Sequence, residues 1–339
     1  MSGRYDVVLV ASLVMLWGQA AAADEKIAGA VEVTRQEPAV LWRNPQDLSS
    51  RNLFYGRGGE QHQPVGDYTF VKEDLAGTNP KFVVRDAKGV TWTVKLGIEA
   101  KPEVAASRLV WAAGYSADED YFVSEIHVTG LPAHLHRGAK FEDASGNFRN
   151  ARLKRHSKEE KAGHWKWRQN PFTGTREFNG LRTLVAVIND WDVKDDNNVI
   201  REEEGQDGRH QRVFFISDLG ATFGTAGIVN PRRKSKGDLA SYQSSHFILR
   251  TKPEFVDFDT PRRPSIIFLV NPHSFFSRMG MRWVGRDIPR SDAHWTGELL
   301  GRLSIDQIRD AFRGAGYAPD EVEGFTQVVK GRIEELNKL

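Results

Sequence analysis

Residues 68–96 admit few folds. Tyr68-Thr69-Phe70-Val71, Lys81-Phe82-Val83-Val84-Arg85 and Val90-Thr91-Trp92-Thr93-Val94-Lys95-Leu96 are rich in β-branched and aromatic residues. Such residues suit a pleated, half-buried surface. Ala76-Gly77-Thr78-Asn79-Pro80 and Asp86-Ala87-Lys88-Gly89 lie between them and have turn chemistry. The spacing predicts a three-stranded antiparallel meander. A helix is expected next. Pro102 suits its first turn, and Glu103 complements the positive end of the helix dipole. Val104, Ala105, Leu109, Ala112 and Ala113 form one apolar face, and Gly114 stops it. Residues 121–128 then read as another strand.

The rest of the chain divides by composition. Residues 24–66 read as an irregular arm or linker. Its Gly56, Gly58 and Gly59 are not a phosphate-binding loop, because no Lys-Ser or Lys-Thr ending and no helix pattern follow. Residues 132–175 are polar and read as a long excursion with little core. Residues 177–188 carry Leu181, Leu184, Val185 and Ile188 at helical spacing, and 213–216 read as a short buried strand. Ser304 and Gln307 form a capping-box pattern, and Pro319 opens a last helix with Val322, Phe325, Val329, Ile333 and Leu336 on one face. The basic clusters 152–155 and 231–234 read as solvated loops.

Composition narrows the function. The 339 residues contain no Cys, which excludes thiol catalysis and thiolate metal sites. A formal net charge of +2 gives no footprint for nucleic acid. Residues 7–17 are almost unbroken in apolar character, and Ala20-Ala21-Ala22-Ala23 follows. Such a core with small residues behind it predicts a signal peptide over 1–23 and export to the periplasm or beyond. An uncleaved amino-terminal anchor is the alternative. The five-residue apolar run 266–270 suits a buried element, and no later segment is long enough for a membrane span.

Two segments carry the chemistry. The first is Asp190-Trp191-Asp192-Val193-Lys194-Asp195-Asp196-Asn197-Asn198, and the second is Phe214-Phe215-Ile216-Ser217-Asp218-Leu219-Gly220. An Asp with a Lys two places on and an Asn five places on, followed later by an apolar run into Asp-Leu-Gly, supplies the groups that phosphoryl transfer needs. In these motifs, and in their order behind a meander and a helix, the chain resembles the atypical kinases of protein-kinase-like fold. These are HipA-type kinases, phosphatidylinositol-kinase-like enzymes and secreted kinases. The resemblance covers about 68–225 in motif terms.

The resemblance implies an α+β, two-lobed fold. An antiparallel β amino-terminal lobe (67–131) would precede a mainly helical carboxy-terminal lobe (132–339), with a nucleotide between them. It implies ATP or another nucleotide and Mg2+ or Mn2+ as cofactors, and a hydroxyl of a protein, glycan or small molecule as acceptor. Lys95 would hold the donor phosphates, with Glu103 as its ion-pair partner and Glu99 as the alternative. Asp192 would be the catalytic base, and Lys194 would neutralise charge on the transferring group. Asn197 and Asp218 would hold the metal, as hard oxygen ligands do.

The chain departs from the pattern in three places. The turn 76–80 has one Gly where a Gly-rich phosphate cover is usual, Asp190-Trp191 replaces the usual His-Arg, and the stretch between Asn197 and Asp218 is long. Two other functions compete: a kinase-like module that binds without catalysing, and a glycosyltransferase using Asp190-x-Asp192. A calcium loop from Asp190 fails, since Gly is missing at its sixth position and Glu at its twelfth. His134, His136, His156 and His164 leave a zinc site open only if a further ligand joins a pair of them.

Overall fold

The computed structural model describes residues 38–339 except 78, 157–159, 191, 206–207, 226–235 and 260–279. The expected signal peptide (1–23), the basic cluster 231–234 and the apolar run 266–270 lie outside the described residues. Among the described residues, no helix is long and apolar enough to cross a membrane.

The expected meander forms as β2 (Tyr68–Asp74), β3 (Lys81–Arg85) and β4 (Thr91–Lys95), behind a short β1 (Ala39–Val40). Alternation decides which face each residue takes. Phe82 and Val84 of β3 and Trp92 and Val94 of β4 turn into one apolar cluster. Asp86 fixes the β3–β4 turn: its carboxylate accepts from the Lys88 and Val90 backbone N–H groups and from Trp92 Nε1 at 2.9 Å. The helix α1 (Ala100–Ala112) follows, two residues longer at its start than the Pro102 signal suggested. Gly114 ends it with φ +92, where a Cβ would lie 2.3 Å from the Arg43 carbonyl oxygen, so only Gly fits.

Two further strands, β6 (Asp120–Thr129) and β7 (Asn147–Arg155), close a barrel in the order β2-β3-β4-β7-β6. Here the structure corrects the sequence reading twice. The segment 132–175 is not a long excursion with little core, because β7 runs between β4 and β6 and buries Phe148, Ala151 and Leu153. The cluster 152–155 is not a solvated loop, because Arg152 is buried and Lys154 pairs with Asp118 at 3.3 Å. Asn150, at φ +55, interrupts the alternation just ahead of that cluster.

A second sheet has the order β1-β10-β9-β8, with β8 at Glu160–His164, β9 at Asn198–Glu204 and β10 at His210–Ile216. The two-residue β5 (Ser116–Ala117) pairs with β10 in parallel. The β9–β10 hairpin accounts for the long stretch between Asn197 and Asp218. Leu41, Leu48 and Leu53, which follow β1, join the larger apolar cluster.

The carboxy-terminal half is mainly helical. It holds α2 (Arg176–Val187), α3 (Leu239–Gln243), α4 (Arg290–Gly301), α5 (Ile305–Arg313) and α6 (Pro319–Leu336), with a small sheet of β11 (Ile248–Thr251), β12 (Phe255–Phe258) and β13 (Ile288–Pro289). The Ser304–Gln307 capping box forms, and Pro319 is in the first turn of α6. The fold is thus α+β with two lobes, each around its own apolar cluster.

Candidate active site

Lys95 ends β4. Trp92 and Val94 fill the barrel, so Lys95, one position on, faces outward toward α1. It is only 3% exposed. Its ammonium lies 2.7 Å from Glu103 Oε2, 3.0 Å from Glu99 Oε2 and 2.6 Å from Asp218 Oδ1. Glu99 and Glu103 are one helical turn apart, which puts both on the same side of the start of α1. Both sequence candidates for the partner of Lys95 are therefore used. Among the described residues, the group of three acidic or imidazole side chains close enough to hold one ion is Glu99, Glu103 and Asp218.

Asp218 follows β10 with φ 57 and ψ 47, a left-handed conformation that Asp tolerates better than most residues. Its side chain is 48% exposed, so it is the open member of a buried set. The rest of the Asp-Leu-Gly ending has a packing explanation. Leu219 is buried in the larger core. Gly220 touches the start of α1, where a Cβ would come within 2.7 Å of Glu99 Cβ.

Charge holds the set together. Burial alone would lower the pKa of Lys95, but the Glu103 and Asp218 carboxylates outweigh it and raise it. Burial alone would raise that of Asp218, but the Lys95 ammonium draws it below the usual carboxylate value. Each therefore keeps its charge at neutral pH. Glu99 also accepts from Lys236 and Asn79. Behind Glu103 lies Arg152 of β7, with Nη2 3.0 Å from Glu103 Oε1.

The loop after α2 is built separately. Asp190 Oδ1 accepts from the Asp192 backbone N–H at 2.9 Å. Lys194 Nζ lies 3.1 Å from Asp192 Oδ1. Asn197 Nδ2 donates to the Asp192 carbonyl at 2.9 Å, which leaves its side-chain oxygen available as a ligand. The Ser217 backbone N–H donates to the Asn197 carbonyl at 3.0 Å. Asn197 is thus one hydrogen bond from the residue before Asp218. The structure brings Lys95, Glu103 and Asp218 into direct contact. It joins Asp192, Lys194 and Asn197 in one loop that meets Asp218 through the backbone.

Several residues here gave no sequence signal. Arg152 sat in what read as a loop. Asp118 precedes β6 and gathers Lys154, Arg201 at 2.6 Å and the Ser217 hydroxyl, with nothing in its surroundings to mark it in the sequence. The His134 and His136 rings lie 6.3 Å apart, but among the described residues no third side chain joins a histidine pair in a group that could hold an ion. His136 pairs with Glu73, His156 meets Thr93 Oγ1, and His164 meets the Asn198 carbonyl. Asp190 is buried and bonded within its own loop, so the Asp190-x-Asp192 pair does not present two open carboxylates.

No protein-family model and no curated protein sequence matches the chain. Several solved structures are similar to it at low identity, three kinases among them. The proinflammatory kinase CtkA of Helicobacter pylori is 11% identical, with a TM-score of 0.44 over 81% of this chain and 98% of that one. The Rio2 kinase of Chaetomium thermophilum, in complex with ADP/Mg2+ and as a phosphoaspartate, is 10% identical, with a TM-score of 0.31 over 82% and 74%. The Golgi casein kinase is 10% identical, with a TM-score of 0.33 over 81% and 73%.

Proposed function

We propose that this protein is a metal-dependent phosphotransferase that moves a phosphoryl group from a nucleotide to an acceptor hydroxyl. One observation carries the reading: the Lys95 ammonium is held between Glu103 at 2.7 Å and Asp218 at 2.6 Å. These three residues come from a strand, a helix and a segment 123 positions away. Such a cation, fixed on one side and opening onto a carboxylate on the other, is what anchoring a polyphosphate requires.

The chain's residues divide the work. Lys95 binds phosphate oxygens, with Glu103 fixing its position. Asp218 and the Asn197 side-chain oxygen are hard donors suited to Mg2+ or Mn2+. When bound, that ion neutralises phosphate charge. Asp192 orients the acceptor hydroxyl and takes its proton as the new O–P bond forms and the bond to the leaving phosphate breaks. Lys194, 3.1 Å from Asp192, offsets charge beside it. Export forms part of the proposal on the strength of residues 1–23 alone.

The test is a thermal-shift panel of nucleotides with Mg2+ or Mn2+. A ligand at a hundred times its Kd adds about 2.7 kcal/mol of stability, enough for a clear rise in Tm. Asp218→Ala should abolish the rise. Asp192→Ala should keep it and abolish transfer. Loss of transfer without Asp192 separates an enzyme from a module that only binds. A rise with nucleotide-sugars and none with ATP would contradict the proposal.

A further inference from the structure

Arg152 stands directly across from Lys95 in the β4–β7 ladder. Both side chains therefore leave the barrel on the same face, toward α1. Arg152 is 2% exposed. Its Nη2 donates to Glu103 Oε1 at 3.0 Å, while the other oxygen of the same carboxylate, Oε2, lies 2.7 Å from the Lys95 ammonium as an ion-pair contact. On its far side Nη1 lies 3.6 Å from Asp120 Oδ1. Among the described residues, Nε and Nη1 of Arg152, Asp120 Oδ1 and Glu103 Oε2 find no hydrogen-bond partner.

A guanidinium this buried and this incompletely bonded is a poor way to stabilise a barrel wall. An apolar wall in which Arg152, Glu103 and Asp120 were all replaced by well-packed apolar side chains would do that at least as well. What an apolar side chain cannot do is hold a carboxylate in one orientation. Lys95 needs that service, because the carboxylates of Glu99, Glu103 and Asp218 share its ammonium. Glu99 is drawn toward Lys236, and Glu103 toward Arg152. We propose that Arg152 is a positioning residue, which fixes Glu103 so that one of its oxygens is presented to Lys95. The link from Arg152 to Glu103 to Lys95 follows from the geometry alone. Its consequence for nucleotide binding rests on the function proposed above.

A double-mutant cycle tests the link without any nucleotide. The readout is the rate at which an amine-reactive acylating reagent modifies Lys95, followed by mass spectrometry of the peptide. Arg152→Met should accelerate modification about fivefold or more in the native background, although loss of the neighbouring positive charge alone would slow it, because Arg152 lowers the Lys95 pKa. In Glu103→Gln it should add less than about twofold, because the link is already cut. Arg152→Lys, which keeps a cation and folds more readily, should fall between native and Arg152→Met. Asp120→Asn, which leaves the Arg152–Glu103 contact alone, should not alter the rate. Equal acceleration by the arginine variants in both backgrounds would show general loosening of the barrel and overturn the proposal. So would an unchanged rate in the native background.

A second readout uses the nucleotide. In Arg152→Met the half-saturating concentration of ATP–Mn2+ should rise about fivefold or more, and in the Glu103→Gln background this increment should vanish. If the native protein binds no nucleotide, the phosphotransferase reading fails while the acylation cycle still decides the role of Arg152.

Discussion

Asp120 and Gly220 illustrate how single residues are set by the cluster around Lys95. Asp120 is buried beside Arg152, and burial is the main reason its carboxyl is raised to about 7. Arg152 offsets part of that, while the Glu103 and Asp118 charges add to it. An unfolded Asp titrates near 3.9, so between about pH 4 and about pH 7 the native state binds a proton that the unfolded state does not. Stability from this group is present below that window and lost as pH rises through it. Asp120→Asn should remove that loss. Measured by urea unfolding at several pH values, the variant should gain on the native protein from pH 4 to pH 7 by at least about 1.4 kcal/mol, the equivalent of one pKa unit. Parallel curves would contradict it. At Gly220 the constraint is contact, because a Cβ would lie 2.7 Å from Glu99 Cβ and 3.0 Å from Glu99 Cγ. Gly220→Ala should cost about 1–3 kcal/mol through overpacking and disturb Glu99 as it does so. Equilibrium unfolding that matches the native protein would show that the turn yields freely.

At the scale of elements, the starts and stops of helices are local and were legible. Ser304 caps α5 through the Gln307 backbone N–H, and the Gln307 side chain returns to the Ser304 N–H. Ser304→Ala should therefore cost about 1 kcal/mol in unfolding free energy. A loss below a few tenths would mean the box is not formed in solution. The meander, α1, α2 and α6 were legible for the same reason, since alternation and helical spacing are written in consecutive residues. The strand β7 was not. Its inward residues are Phe148, Ala151 and Leu153, and Asn150 at φ +55 shifts the alternation between the first two. Its outward residues are basic, and Arg152 and Lys154 are matched by acids far away in sequence, on α1, just ahead of β6 and at its first residue. A charged strand face reads as solvated until the partners that bury it are known. The candidate site shows the same division. Asp192, Lys194 and Asn197 share a loop and were read from spacing, whereas the Arg152–Glu103 link spans 49 positions and left no local trace.

At the scale of the molecule, two apolar cores support one polar seam. The barrel carries Lys95 and Arg152 on its outer wall. The larger core is anchored by aromatic packing, with Phe312 and Phe325 stacked at 5.0 Å and Phe223 edge-on to Phe312 at 5.1 Å. Phe325→Ala should cost about 3–5 kcal/mol in thermal or urea unfolding, the usual price of deleting a buried ring. A small loss would mean that this core is loosely packed. The seam brings β4, α1 and the segment after β10 together at the Lys95 ammonium, and the proposed chemistry depends on that meeting point. The most direct test is a crystal structure with a non-hydrolysable nucleotide and Mn2+, in which anomalous scattering locates the metal. A manganese peak on the Asp218 carboxylate, with phosphate oxygens on Lys95, is the predicted result. Nucleotide and manganese bound away from both residues would contradict it, as would no binding at concentrations that saturate other nucleotide-dependent enzymes.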